Sequence, residues 1–366
     1  MHNKKQYKKI LILIPSLRLW WWAEKIAVQI WNGLQKKWYN ISYLTFYCYE
    51  KEYEFLWSEY CLNDSLNSSF VWKIFRFLFR GYKIKRFCEE NNIDIIISFM
   101  EEWNFPAILS KLYGNSSKII ISIHHEISNY KKWCFYWFIK LLYRFADNIV
   151  VLTKFEKDNL IKNFNCNKNK ISVISNGIDI DRINLMKRES LWEYESLFYD
   201  KFSFISIWRL EKIKNQELMI NSFLKLNEKY TNTQLIVLWD WKEKNNLQKI
   251  ANNNIHFLWN QNNVFKFLNN SNCFIITSIS EAFCIAILEA MSCWLPIIST
   301  KTQWANEIIW NLYWLLVNND IESLYDAMEN LYLNKEISNY YKNLSIKRVR
   351  DYDMKPILKK REDLLI

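Results

Sequence analysis

Short apolar runs alternate with longer amphipathic stretches along the whole chain, and that alternation predicts strands and helices in turn. In the first half the β-rich runs are "KILILIPSL", "NISYLTFYCY", "IDIIISFM", "SKIIISIHH" and "DNIVVLTKF". In the second they are "KFSFISIW", "TQLIVLW", "NIHFLW", "NCFIITSIS" and "LPIISTKT". Runs that are apolar on both sides of the pleat belong to parallel sheets covered by helices on each face. Two groups of runs predict an α/β protein with two doubly wound, Rossmann-like parallel-sheet domains. Asn176 and Gly177 interrupt the pattern in "VISNGIDIDRINL", so the first domain is expected over 1–177 and the second from 178.

The chain has 366 residues, half of them hydrophobic and 24% charged, enough for two ordinary cores. No run reaches the ~18 apolar residues of a membrane-crossing helix. The basic start before "ILILI" faintly resembles a secretory signal, but the apolar stretch is short and runs into a turn, so a first core strand is expected. Eight cysteines carry no C-x-x-C pair and four histidines no metal-ligand spacing. These features predict a reduced, cytoplasmic protein without a metal site.

The net charge is +11, and part of it is organised. Over residues 70–87, Lys73, Arg76, Arg80 and Lys83 recur at helical spacing on one side, with Val71, Ile74, Phe75, Leu78 and Tyr82 on the other. Two readings stand: an ordinary surface helix packed on its sheet, or an arm resting on anionic lipid at the inner membrane face. No nucleic-acid-binding motif accompanies the charge, and no nucleic-acid partner is expected.

Composition changes the picture at one point. Average usage of about 7% would give roughly 26 glycines in a chain this long; it has 4, beside 19 tryptophans. Trp20, Trp21, Trp22, Trp38, Trp208, Trp239, Trp241, Trp259, Trp294, Trp304, Trp310 and Trp314 mostly follow or separate apolar runs, at strand ends and tight turns. Glycine belongs there, because it reaches positive φ and lets backbone approach a ligand. The expectation is that these tryptophans are UGA codons which the source reads as glycine. The Lys, Asn, Ile, Tyr and Phe bias of an A/T-rich gene fits such a reassignment, as some bacterial lineages show it. Trp72, Trp133, Trp137 and Trp192 lie in helical or charged contexts and are expected to be genuine. The competing reading is a tryptophan-rich platform for carbohydrate or membrane.

Candidate chemistry concentrates in "SISEAFCIAILEAMSCWLPIIST", where a polar loop turns into a helix. A helix start exposes unpaired N–H groups and partial positive charge, which suit a phosphate. Glu289 is expected two turns into that helix, where its carboxylate can accept hydrogen bonds from a sugar diol; Glu281 precedes it in the loop.

The pattern S-x-x-E-x-F-x-x-x-x-L-E-A-M-x-x-W-x-P closely resembles the signature of the retaining glycosyltransferases of family 4, the group 1 transferases, with Trp294 where the family has glycine. "SIWRLEKIKNQELMINSF" resembles the family's G-R-L…K segment, with Trp208 on the glycine, and "SLRLWWWAEK" its Gly-rich loop after the first strand. "RFADNIVVLTKFEKDNL", "VISNGID", "HFLWN" and "TQWANEII" extend the resemblance, in order, over about residues 8 to 320. Several ordered motifs weigh more than any one.

The resemblance implies a GT-B fold: two Rossmann-like domains facing across a cleft, the second over 178–345 holding the nucleotide-sugar, and 346–366 a last helix crossing back to the first domain. It implies that Arg209 and Lys214 neutralise the donor diphosphate, work done elsewhere by a metal ion. Glu289 would hold the ribose hydroxyls, Glu281 the transferred sugar, and the amides of Phe283, Cys284 and Ile285 the phosphates. Cys284 departs from the family's commonest residue there, glycine, which puts close backbone approach in question. His124, or the adjacent His125, would lie near the anomeric carbon. Trp20, Trp21 and Trp22, expected as glycine, would form the phosphate and acceptor loop. The implied activity is transfer of a hexose from a UDP- or GDP-sugar, without cofactor, to a glycan or lipid-linked acceptor of envelope synthesis. A GT-B epimerase would need further acid and base residues, for which there is no clear candidate. An oxidoreductase would need a G-x-G-x-x-G turn, which "WWWAEKIA" lacks even with glycines. A non-catalytic family member is the reading if the tryptophans are real.

Overall fold

Ile10 to Ile14 of the first strand, β1 (Lys9–Ile14), are all fully buried, as a strand covered on both faces must be. The computed structural model describes residues 8–14, 22–35, 37, 39–46, 58–62, 70–127, 134–207, 212–238, 244–258, 261–309 and 315–366. The chain divides into two units, Met1–Gly177 with Lys355–Ile366, and Ile178–Met354.

In the first unit β1 is followed by α1 (Trp22–Gln35), β2 (Asn40–Thr45), β3 (Ser58–Cys61), α2 (Phe70–Asn91), β4 (Ile95–Phe99), α3 (Glu101–Leu112), β5 (Lys118–Ser122), α4 (Cys134–Leu142), β6 (Asn148–Val151), α5 (Lys154–Phe164) and β7 (Ile171–Val173). The strands form a parallel sheet in the order β3-β2-β1-β4-β5-β6-β7. Leu11, Ile96, Ile119, Ile121 and Ile149 from the strands meet Phe105, Ile108 and Tyr143 from the helical layer in one core.

The second unit runs α6 (Ile180–Met186), β8 (Phe202–Ile207), α7 (Gln216–Lys229), β9 (Thr233–Leu238), α8 (Lys244–Ile250), β10 (Ile255–Leu258), α9 (Phe265–Asn269), β11 (Cys273–Ile276), α10 (Ile285–Ser292), β12 (Ile297–Thr300), α11 (Gln303–Ile309), β13 (Leu315–Val317), α12 (Ile321–Leu333) and α13 (Lys335–Val349). Its parallel sheet has the order β10-β9-β8-β11-β12-β13. Phe204, Leu235, Val237, Ile275 and Ile298 pack there against Phe223, Leu226, Leu324 and Met328. The last helix, α14 (Met354–Asp363), lies mostly within the segment that returns to the first unit. That return begins at Lys355 rather than at 346, because α13 stays in the second unit, where Ser345 Oγ donates to the Leu295 carbonyl at 2.7 Å.

Three strands escape the apolar-run reading: β3, β7 and β13. All three stand at sheet edges; β3, Ser-Glu-Tyr-Cys, has no apolar run, and β7 and β13 span three residues each. The amphipathic assignment of α2 also needs correcting. Leu78 and Tyr82, inside on the packed-helix reading, are exposed, while Gly81, Ile84 and Cys88 form the buried side; the side chains of residues 70–76 lie outside the described ones. Gly81 is where α2 and α3 approach most tightly: a Cβ there would stand 2.8 Å from Leu109 Cβ. Cys61 on β3 is disulfide-bonded, so the expectation of wholly reduced cysteines fails at that residue; Cys88, Cys166, Cys273, Cys284 and Cys293 are free and buried.

The described tryptophans separate into distinct environments. Trp103 is fully buried and stacks on Phe46 with centroids 3.7 Å apart, a site that uses a large aromatic. Trp294 ends α10 at φ 66°, the left-handed region, with 48% of its surface exposed. Trp192, expected as a genuine tryptophan, also takes a positive φ of 51°. Trp304, expected at a turn, lies inside α11, buried, and its Nε1 meets no acceptor among the described residues. Trp22 opens α1 instead of lying in the loop before it. Trp20, Trp21, Trp38, Trp208, Trp239, Trp241, Trp259, Trp310 and Trp314 lie outside the described residues.

At Trp294 the left-handed backbone costs a residue with a Cβ about 1–2 kcal/mol. Lys187 Nζ sits 3.9 Å from the indole centroid, a cation–π contact that returns about 0.5–1 kcal/mol. The first term is larger. Trp294→Gly is therefore expected to raise the melting temperature by roughly 2–4 °C, the shift that about 1 kcal/mol produces in a unit of this size. A lower melting temperature in a thermal scan would contradict the glycine assignment at this turn.

Candidate functional site

Strand order in the second unit reverses between β8 and β11, and open parallel sheets take ligands beyond the carboxyl ends of their strands at such a point. The loops leaving these two strands are tied together. Thr277 Oγ1 donates to the carbonyls of Lys214 and Asn215, at 2.9 Å each, and the Ile279 N–H to the Ile213 carbonyl at 2.9 Å. Asn215 makes this possible at φ 49°, a conformation asparagine adopts at low cost. Across the join, the Lys214 ammonium pairs with the Glu281 carboxylate, both largely withdrawn from water, and Ser278 Oγ donates to Glu281 Oε1 at 3.3 Å.

Helix α10 begins just beyond. Cys284 is its N-cap residue, and no side chain hydrogen-bonds at the cap. The Cys284 side chain is fully buried, burial pushes the thiol pKa up, and the Ile287 and Ala286 amides lie against the sulfur. Phe283 and Ile285 are buried on either side, Phe283 6.0 Å from the Tyr352 ring. Glu289 is buried one turn into α10, not two, because the helix starts at Ile285; its charge reaches Cys284 and Cys293. Lys214, Glu281, Phe283, Cys284, Ile285 and Glu289 thus gather at one end of one sheet. Arg209 lies outside the described residues.

The first unit has its own reversal, between β1 and β4. The loop after β1, with Trp20 and Trp21, lies outside the described residues. After β4 comes Met100 at φ 71°, ψ 155°, a region that is nearly glycine-only and costs another residue about 1–3 kcal/mol. Its N–H donates to the Ser122 carbonyl at 3.1 Å. Asn104, fully buried, accepts from Ser98 Oγ at 2.6 Å and donates to the Ser122 carbonyl at 3.2 Å, fixing the ends of β4 and β5 together. Beyond β5, His124 lies half-buried with its ring 5.2 Å from that of Phe99 and its Nε2 3.0 Å from Ser122 Oγ. Burial, then the charges of Arg361 and His125, hold the His124 pKa well below the usual value.

Comparison with known proteins agrees with this architecture. The glycosyl transferases group 1 model matches residues 192–348 and the Glycosyltransferase Family 4 model residues 44–182. The chain belongs to this family of enzymes. An uncharacterized glycosyltransferase of Methanocaldococcus jannaschii is 34% identical over 258 residues, 66% of this chain and 63% of that protein. The match thus spans a little under two thirds of that relative's length. The N-acetylgalactosamine-N,N'-diacetylbacillosaminyl-diphospho-undecaprenol 4-alpha-N-acetylgalactosaminyltransferase of Campylobacter jejuni is 25% identical over 297 residues, 77% of this chain and 79% of that protein. Among solved structures, Anabaena HepE in complex with UDP and glucose matches with a TM-score of 0.80 at 16% identity, covering 98% of this chain and 99% of that one. At that identity the likeness establishes the fold, which is GT-B.

Family motifs lead to His124 and to the α10 residues but pass over several buried polar groups of the first unit. Glu101, at the start of α3, and Glu156, in α5, are both buried, and each has an Oε1 without a partner among the described residues. Glu101 follows the apolar run "IDIIISFM", a strand-end placement that could have drawn attention to it. Arg361, in the mixed-charge tail, gives no such signal, yet it is buried.

Burial pushes Glu101 and Glu156 up from 4.5 to about 7, and the charge of Glu156 adds to the shift at Glu101. A raised folded-state value contributes stability that is complete below the unfolded value near 4.5 and is lost as pH rises through about 7. Glu101→Gln removes that loss. Its unfolding free energy is expected to lie close to the unmodified chain's at pH 5 and to exceed it at pH 8, by an amount approaching about 3 kcal/mol. A difference that stays constant from pH 5 to pH 8 would contradict the buried-acid assignment.

Proposed function

We propose that the chain is a retaining, metal-independent glycosyltransferase that moves a hexose from a UDP- or GDP-sugar to a glycan or lipid-linked acceptor in envelope polysaccharide or glycoconjugate synthesis. The observation that carries this reading is the buried Lys214–Glu281 pair, set between β8 and β11 beside the start of α10. In the proposal the donor diphosphate lies against Lys214, Arg209 and the amides of Phe283, Cys284 and Ile285. Fixed cations and oriented amides stabilise the departing nucleotide without having to reorganise. Glu289 accepts from the ribose hydroxyls, Glu281 from the transferred sugar, and His124 contributes from the first unit. In the proposal Trp20, Trp21 and Trp22 are glycine in the native protein, and the loop with Trp20 and Trp21 and the first residue of α1 face phosphate and acceptor. The UDP and glucose complex of HepE supports the donor class, and the diphospho-undecaprenol in the name of the Campylobacter relative supports a lipid-linked acceptor.

A lipid-linked acceptor asks for a surface that meets a membrane. Among the described residues no helix is long and apolar enough to cross one. The first unit does expose Leu78, Phe79 and Tyr82 on α2 and Trp137, Phe138 and Leu141 on α4. The Phe77 and Phe138 rings, 5.8 Å apart, join the two helices, while Lys83 lies over Phe79 and Lys140 over Trp137. Exposed aromatics interleaved with cations suit the anionic face of a bilayer. In the proposal the 70–87 segment and α4 rest there on the cytoplasmic side.

The test is turnover by the chain carrying glycine at residues 20–22, 208 and 294. With phosphatidylglycerol vesicles and a panel of UDP- and GDP-sugars, nucleotide is expected to be released from at least one donor and to persist in EDTA. Lys214→Met is expected to lower kcat by about 10²–10³ with the fold retained by circular dichroism. Folded protein that releases nucleotide from none of these donors would overturn the enzymatic reading. Loss of release in EDTA would overturn metal independence, and absence of protein from the sedimented vesicles would overturn the membrane face.

A further inference from the structure

Arg361 lies on α14 against the sheet of the first unit, only 2% exposed, and its Nε and Nη2 meet no acceptor among the described residues. Burial brings its own pKa down to about 10, so the guanidinium stays charged at neutral pH. Its Nη1 donates to Ser122 Oγ at 3.5 Å, and the same Oγ stands 3.0 Å from Nε2 of His124. A guanidinium only donates, so Ser122 Oγ accepts from it. The hydroxyl keeps one proton of its own, and the acceptor within its reach among the described residues is His124 Nε2. Where that proton goes to Nε2, the ring proton sits on Nδ1.

We infer that Arg361 and Ser122 are positioning residues that hold His124 as the neutral Nδ1–H tautomer, leaving the Nδ1 proton as the polar group the ring offers a ligand. The inference rests on the proposed place of His124 beside the transferred sugar. A neutral donor there suits a sugar hydroxyl. It also avoids a second positive charge next to the anomeric carbon, where glycosyl transfer develops oxocarbenium character. The groups facing His124 are Arg361 from α14, His125 beside it in the loop, and the uncharged Phe99 ring from β4. The Arg361 charge opposes protonation of His124. Arg361 therefore acts as a buried counterweight whose role is electrostatic and directional, with Ser122 as the link.

Nitrogen-15 histidine NMR of the full chain tests this, His124 being assigned by the signal missing in His124→Gln. The unmodified protein is expected to show the Nδ1–H tautomer, neutral from pH 5.5 to 8. In Arg361→Met, an apolar replacement of similar length that buried sites often accept, His124 is expected to titrate inside that range. Arg361→Lys, which keeps the charge, is expected to restore the neutral form. Ser122→Ala is expected to lose the single tautomer. An Nε2–H tautomer in the unmodified protein, or a His124 titration unchanged by Arg361→Met, would overturn the inference.

Turnover separates it from the reading beneath it. If His124 serves transfer, Arg361→Met loses about fourfold or more in kcat between pH 8 and pH 5.5 as the imidazole value moves toward its ordinary 6.5, with donor KM unchanged; a structural defect would lower kcat equally at both. The NMR result with no such pH-dependent loss would leave the Arg361 assignment standing and remove His124 from the site.

Discussion

The second unit is organised around the join between the loops that leave β8 and β11. A parallel sheet brings two strand ends side by side, but it does not by itself hold their loops in register. Here that is done by Thr277, whose hydroxyl reaches the carbonyls of Lys214 and Asn215, and by the ion pair between Lys214 and Glu281. A pair so far from water is costly to form and more costly to break from one side. The same two charges that lock the loops together are those assigned to the donor. In the proposed function, phosphate at Lys214 would compete with Glu281 and free that carboxylate for sugar hydroxyls. Structure and proposed chemistry thus draw on one interaction.

The first unit shows a different use of burial. Around the ends of β4, β5 and β6, polar groups are withdrawn from water: Glu101 and Glu156 move toward neutrality near pH 7, while Arg361 stays charged and adds to the burial that keeps His124 uncharged. Met100 adds backbone strain at the same edge. Such costs persist when surrounding packing over-determines them, as the Asn104 bonds to β4 and β5 do here.

Much of the architecture was legible because apolar runs such as "KILILI" and "TQLIVL" are buried on both faces and leave no polar alternation to mislead. The edge strands β3, β7 and β13 were not, since a few residues on a sheet margin carry too little apolar signal. On α2 the packed-helix reading does not hold at Leu78 and Tyr82, which face outward: Gly81, without a side chain, marks the contact. Motifs pointed to the residues around α10 because they are local in sequence. Arg361 was invisible for the opposite reason, as it reaches Ser122 only through the fold.

The most direct test of the account is amide hydrogen exchange of the chain with and without UDP and GDP. Slowed exchange over residues 212–216 and 277–292 with one of the two nucleotides is predicted, since these segments carry Lys214, Glu281 and the start of α10. Nucleotide binding that leaves those amides unchanged, or that protects other strand ends instead, would contradict it.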